Sequence, residues 1–240
     1  VSLAPPRTPA LLAISHGTSS PTGQSAVSAL VAAVADARPA LRLRDGFVDV
    51  QQPDVPTVLD GLDPDEPAVV VPLLLSAGYH VHVDLRREVS EAARPAVCAA
   101  ALGPDPRLVD VLVRRLAEAG CREDDAVVLV AAGSSDARAV DDCRATTAML
   151  AVRIGRPVDL GFVSAAVPRA ADAVAAARLA HPGRRVVAAN YTLAPGFFAG
   201  MVAQAGADVT TAPLLARQEP PPRELVDLVL DRYDEAIAAV

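Results

Sequence analysis

Lysine is absent from this chain, and so is tryptophan. Aromatic residues make up only 3% of it, while hydrophobic residues make up 52%. A core so poor in rings is filled by Ala, Val and Leu, which suits parallel strands covered by helices better than an aromatic-rich sandwich. Every apolar run is shorter than the roughly 18–20 residues a bilayer span requires. The leading VSLAPPRTPA lacks the apolar segment of a secretory signal. Cys98, Cys121 and Cys143 are odd in number and show no C-x-x-C spacing, so buried or free thiols in a reducing cytoplasm are expected. A net charge of −7 argues against a general nucleic-acid or membrane surface. It says little about small molecules, because local charge can oppose the average.

At 240 residues the chain is long enough for one large domain or two small ones. Short apolar runs alternate with amphipathic stretches from end to end. Strands are expected at 10–15, 41–50, 68–75 and 95–101, with helices at 24–37, 53–62, 81–93 and 106–119. The second half repeats the order, with strands at 125–131, 158–163, 185–189 and 208–211 and helices at 136–154, 168–180, 197–205 and 223–239. That alternation predicts an α/β fold with parallel, doubly wound sheets.

The halves can be superposed. Gly17 meets Gly133 at an offset of 116, Gly46 of GFVD meets Gly161 of GFVS at 115, and Gly78 meets Gly196 at 118. Near-constant offsets at three strand ends indicate an internal duplication, with subdomains at about 1–120 and 121–240 facing each other across a cleft. The superposition sets His16 against Ala132, Asp49 against Ser164 and His80 against Phe198. One active site therefore survives in the first half, and the second half is scaffold or one wall of the pocket.

His16, Asp49 and His80 all fall at or just past the carboxyl ends of expected strands, where open α/β sheets bind ligands. Two imidazoles and a carboxylate suit a divalent first-row metal, and they equally suit proton transfer near neutral pH. His82 is two residues from His80 and points elsewhere on a helix. Asp84 fits a hydrogen-bond partner of a liganding imidazole and fits a helix's first turn as well. The loop GTSSPTG has no Lys and matches no phosphate-loop spacing, and a G-x-S-x-G elbow is missing.

Three stretches carry a family likeness: Ser15-His16-Gly17-Thr18-Ser19, Gly46-Phe47-Val48-Asp49, and PLLLSAGYHVHVD from Pro72 to Asp84. They resemble the class II tetrapyrrole chelatases, and most of all the sirohydrochlorin cobalt- and ferrochelatases. NYTLAPGFF (190–198) resembles the degenerate second half of the longer members. The resemblance implies a lyase inserting Co²⁺ or Fe²⁺ into sirohydrochlorin for cobalamin or sirohaem synthesis, with Ni²⁺ and a non-catalytic carrier as alternatives. It makes His16 and His80 the metal-binding and catalytic histidines, with Asp49 where relatives often have Glu. No cofactor beyond the substrate metal is implied. Because the macrocycle carries eight carboxylates, cations are expected close to the pocket, with Arg42, Arg44, Arg86 and Arg87 nearest in sequence. Ser19, Ser20, Tyr79, Arg44 and Arg86 are the expected tetrapyrrole contacts. A duplicated chain can form its own cleft, so a monomer is expected.

Overall fold

The computed structural model describes residues 7–63, 65–76 and 78–239, and only the backbone of residues 79–82 and 84. The first half runs β1 (Ala10–Ser15), α1 (Pro21–Ala37), β2 (Leu43–Phe47), α2 (Val55–Asp60), β3 (Ala68–Pro72), α3 (Tyr79–Glu91), β4 (Ala96–Cys98), α4 (Pro106–Glu118). The second runs β5 (Ala126–Ala131), α5 (Ala137–Ile154), β6 (Val158–Phe162), α6 (Ala170–Ala180), β7 (Val186–Tyr191), α7 (Phe197–Ala203), β8 (Val209–Thr210), α8 (Arg223–Ala238). Two four-stranded sheets result, ordered β2-β1-β3-β4 and β6-β5-β7-β8, with every described pairing parallel. The tandem, doubly wound α/β architecture is the expected one. In each sheet the order reverses beside the first strand, at β1/β3 and β5/β7, which opens a crevice at those strands' carboxyl ends.

Element ends differ from the expected ones where the backbone finds other partners. The third strand stops at Pro72, and the Leu73 N–H turns to the Ile14 carbonyl at 2.7 Å. The expected strand at 95–101 contracts to Ala96–Cys98, whereas β7 extends to Asn190 and Tyr191 by pairing with Val130 and Ala131. Helix α3 starts at Tyr79 rather than residue 81, so His80 falls in its first turn.

Strand alternation divides the core. Leu11 and Ala13 of β1 face a cluster that runs through both halves, joining Leu112 of α4, Leu129 of β5 and Val229 of α8. Leu12 and Ile14 point to the opposite face and pack with Val58, Leu59 and Leu85 under α2 and α3. Val128 and Val130 of β5 meet Val174 and Val202 in the same way. The helices between the sheets are exchanged: α8 packs on β3 and α1 of the first half, while α4 packs on β7 and α5 of the second. Each sequence repeat thus lends its last helix to the other's sheet.

Polar ties hold that exchange. Arg38, the C-cap of α1, pairs bidentately with Asp234 of α8 at 2.6 and 2.7 Å, and the Tyr233 hydroxyl donates to the Pro9 carbonyl at 2.6 Å. Asp105 caps α4 through the Arg107 N–H and accepts from the Arg107 and Arg232 guanidinium groups. Burial pushes the Asp105 carboxyl up, but those hydrogen bonds and charges outweigh it and hold it below the usual carboxylate range. Among the described residues, no helix is long and apolar enough to cross a membrane.

Candidate active site

The site is built where the segment after β1 crosses the segment after β2. Val48 N–H donates to the Ser15 carbonyl at 2.9 Å and Asp49 N–H to the His16 carbonyl at 3.1 Å. Gly17 has φ 88°, and a Cβ there would sit 2.1 Å from the Asp49 carbonyl oxygen, so only glycine allows the crossing. Thr18 is clamped from two sides, its N–H donating to Gln51 Oε1 at 2.9 Å and its carbonyl accepting from Gln24 Nε2 at 2.8 Å. His16 is exposed, yet the backbone on both sides of it is fastened.

The second half repeats this knot almost bond for bond. Val163 N–H donates to the Ala131 carbonyl at 3.0 Å and Ser164 N–H to that of Ala132 at 2.9 Å. Gly133 has φ 92°, with the Ser164 carbonyl 2.0 Å from its hypothetical Cβ. The backbone device is duplicated, and the imidazole is not.

Between the two sets of loops lies a cavity of about 610 Å³, within the usual size range of small-ligand sites. His16, Thr18 and Ser19 line it from the first half, and Ser134, Ser135 and Phe197 from the second. The halves touch at its rim. A Cβ on Gly23 would lie 2.2 Å from the Pro195 carbonyl oxygen, and one on Gly78 would lie 3.4 Å from Ser134 Oγ. Deeper in, the Tyr191 hydroxyl donates to the Leu75 carbonyl at 3.1 Å and pairs with Thr146 Oγ1 at 3.3 Å, bridging the two halves. Burial raises the Tyr191 phenol well above its ordinary value. It also pushes the thiol of Cys143, which lines the cavity, up to about 12, so in the metal-free site it is a neutral thiol at pH 7.

The expected site residues divide. His16 and Ser19 line the cavity. Ser20 instead caps α1, its Oγ accepting from Gly23 N–H at 3.4 Å and pairing with Thr22 Oγ1. The Asp49 carboxylate is exposed and accepts the Val50 N–H at 2.7 Å; it is not part of the cavity lining. Tyr79 and His80 belong to the first turn of α3, just past Gly78, which lines the cavity. Their side chains, with those of His82 and Asp84, lie outside the described residues.

The arginines expected around the pocket are not among its described lining residues. Among the described residues lining it there is no arginine and no carboxylate. Arg42 is tied to Asp63 and Glu66 at the other end of its strand. Arg44 stands on the edge strand β2, three residues before its end at Phe47, which at ~3.3 Å per residue is ~10 Å from the strand's active end. Arg86 is exposed on α3 and acts electrostatically on Cys98 of β4, the far edge of the sheet. Nearness in sequence along a strand is not nearness to its end.

Sequence reasoning missed Gln51, Ser134 and Ser135 as parts of the site. The two serines had a signal, since they are the duplicates of Thr18 and Ser19 at the offset of Gly17 and Gly133. Gln51 had none, because its role depends on how β2's loop lies over β1's. Among the described residues, no three His, Cys, Asp or Glu side chains gather as a metal site.

Comparison with known proteins agrees with this fold. The structure is similar to SirB from Bacillus subtilis with Fe³⁺, at 20% identity and a TM-score of 0.77, covering 97% of this chain and 96% of that one. It is similar to the sirohydrochlorin chelatase SirB from Bacillus subtilis subspecies spizizenii in complex with cobalt, at 18% identity and 0.76, covering 96% and 95%. It is also similar to CbiX, described as the terminal enzyme of sirohaem biosynthesis in denitrifying bacteria, at 20% identity and 0.64, covering 92% and 98%. No curated protein matches the chain by sequence. The profile of the CbiX family matches twice, over residues 10–119 and 126–236. The chain therefore belongs to the CbiX family of class II chelatases and carries two CbiX units in tandem.

Proposed function

We propose that this protein inserts Co²⁺ or Fe²⁺ into sirohydrochlorin, with His16 as the residue that meets metal and macrocycle. The observation that carries the reading is an exposed imidazole on a fastened loop, opening into a cavity whose two walls come from the two halves of one chain. The relatives of similar fold support it, because one holds Fe³⁺, one is a sirohydrochlorin chelatase in complex with cobalt and one is an enzyme of sirohaem synthesis.

The reaction exchanges two pyrrole N–H protons for one M²⁺. Two N–H bonds break, four N–M bonds form, and two protons leave with no change of oxidation state. An imidazole in its neutral form has one lone pair, with which His16 can hold a metal ion loosely or take a pyrrole proton. His80, placed by α3 just past Gly78, is proposed as the second such group. Asp49, exposed and next in the chain to the cavity-lining Val50, is proposed as the eventual proton acceptor, since its second carboxylate oxygen carries no described hydrogen bond. No cofactor beyond the substrate metal is required.

The macrocycle's carboxylates meet neutral donors here. Thr18, Ser19, Ser134 and Ser135 offer hydroxyls, and the amino-terminal ends of α1 and α5 lie behind them. Hydroxyl and amide donors carry no charge, so the site binds an anionic ring without trapping it as an ion pair.

The test is anaerobic incubation with sirohydrochlorin and Co²⁺, Fe²⁺ or Ni²⁺ in turn, followed by absorbance. Multiple turnovers with Co²⁺ or Fe²⁺ support the reading. Faster turnover with Ni²⁺ moves the metal assignment, and product that stops at one equivalent per chain makes the protein a carrier.

A further inference from the structure

The loop after β2 holds an expensive residue. Gln51 N–H closes onto the Asp49 carbonyl at 2.6 Å, a three-residue turn whose central residue, Val50, has φ 63°. Such turns are strained, and a β-branched residue at positive φ is an outlier. The duplicate turn in the second half has Ala166 N–H on the Ser164 carbonyl at 2.6 Å, with Ala165 at φ 55° in the central place. The turn itself therefore does not call for valine. Nor does packing, because Val50 is 56% exposed. Its side chain belongs to the cavity wall.

A second exposed apolar group stands on the other half of the same cavity. Phe197 and Phe198 open α7, with exposures of 74% and 39% and ring centroids 5.5 Å apart in an edge-to-face pair. They occupy the places that Tyr79 and His80 hold in the first repeat, at the offset of Gly78 and Gly196. Where the first repeat has a histidine in its sequence, the second has rings with no hydrogen-bonding or metal-binding atom. Exposed apolar side chains from both halves thus flank one opening, next to His16.

We propose that Val50 and the Phe197–Phe198 pair form an apolar grip on the conjugated ring of the macrocycle, holding the inner nitrogens toward His16. This rests on the reading of the protein as a tetrapyrrole chelatase. It adds that ring recognition is apolar, strained on one side, and separate from the metal. Flat conjugated ligands gain from ring-to-ring contact beyond the area they bury.

The strain makes a diagnostic test. Metal-free sirohydrochlorin is titrated anaerobically into the full chain and binding is read by fluorescence, with thermal melting alongside. Val50→Gly removes a residue at odds with its backbone, so it is expected to raise Tm while weakening binding several-fold. A side chain serving only the fold gives the opposite sign in Tm. The double variant Phe197→Ala, Phe198→Ala is expected to weaken binding by about tenfold with Tm unchanged, and Phe198→Tyr to restore most of the affinity lost in Phe198→Ala. Full affinity in both Val50→Gly and the double variant overturns the proposal. So does a changed sedimentation coefficient with affinity intact, which would make the patch a contact between copies. Because no metal is present, wild-type turnover is judged separately: a chain that grips the ring but never metallates it keeps this proposal and loses the chelatase reading.

Discussion

Replacing Gly17 with alanine tests the loop that carries His16, and the duplication supplies its control. At φ 88° a Cβ costs ~1–2 kcal/mol. The new methyl would also lie 2.1 Å from the Asp49 carbonyl oxygen, where real Cβ contacts do not fall under 3.0 Å, so that carbonyl must retreat by 3.0 − 2.1 = 0.9 Å. Such a shift breaks the Asp49-to-His16 bond at 3.1 Å and the Gln51-to-Asp49 bond at 2.6 Å, each worth ~1 kcal/mol net. The sum is about 3–4 kcal/mol, or roughly 10 °C in Tm for a chain of this size. Gly133→Ala meets the Ser164 carbonyl at 2.0 Å and disturbs the corresponding pair of bonds at 2.9 and 2.6 Å, so its Tm falls by a similar amount. Turnover separates the two. Displacing a catalytic group by ~1 Å costs about 100-fold, and only the first-half loop carries an imidazole. Assayed well below either melting point, Gly17→Ala loses about 100-fold in kcat/KM, and Gly133→Ala stays within about tenfold of wild type. Equal losses of turnover in the two variants, or near-normal turnover in Gly17→Ala, would refute the assignment of His16 to the chemistry.

Three further outcomes follow from the structure. Charge reversal at Arg44 is expected to leave KM for the tetrapyrrole within about twofold at 0.15 M salt, because the ~10 Å to the strand end exceeds the ~8 Å screening length; a large rise in steady-state KM would bring that arginine back to the site. Tyr191→Phe removes the hydroxyl joining Leu75 and Thr146 across the halves and is expected to cost about 1–2 kcal/mol in urea unfolding, an unchanged midpoint contradicting the bridge. Asp125 is held below the usual carboxylate range by its hydrogen bonds from the Arg185 side chain at 2.6 and 3.0 Å and from the Arg122 N–H at 2.8 Å. A depressed carboxyl stabilises the fold above its unfolded value of about 4 and loses that contribution as pH falls through the lower folded value. Asp125→Asn is therefore destabilised relative to wild type at pH 7, and the gap closes in acid; a gap that widens in acid reverses the sign and rejects the pairing.

The fold was legible because strand cores here are short Val, Leu and Ala runs, and because three glycines recur at nearly the same offset, 115 to 118 residues. Gly17 and Gly133 do the same steric job in both copies, which is why their spacing survives in the sequence. His16 was legible as a histidine after a buried strand. What sequence reading could not supply was lateral placement. Arg44 sits close to Asp49 in the chain but ~10 Å short of the strand's end in space, and the Ser20 hydroxyl is taken up by a helix cap. The exchange of α4 and α8 between sheets was equally hidden, since both helices are amphipathic and neither sequence states which sheet its apolar face covers.

The most direct measurement is a multiple-turnover metallation assay comparing wild type with His16→Ala, with binding of the metal-free macrocycle measured in both. The account predicts many equivalents of metallated product per wild-type chain. For His16→Ala it predicts a loss of about 100-fold or more in turnover, with ring binding and Tm little changed because the side chain is exposed. Undiminished turnover by His16→Ala would contradict it.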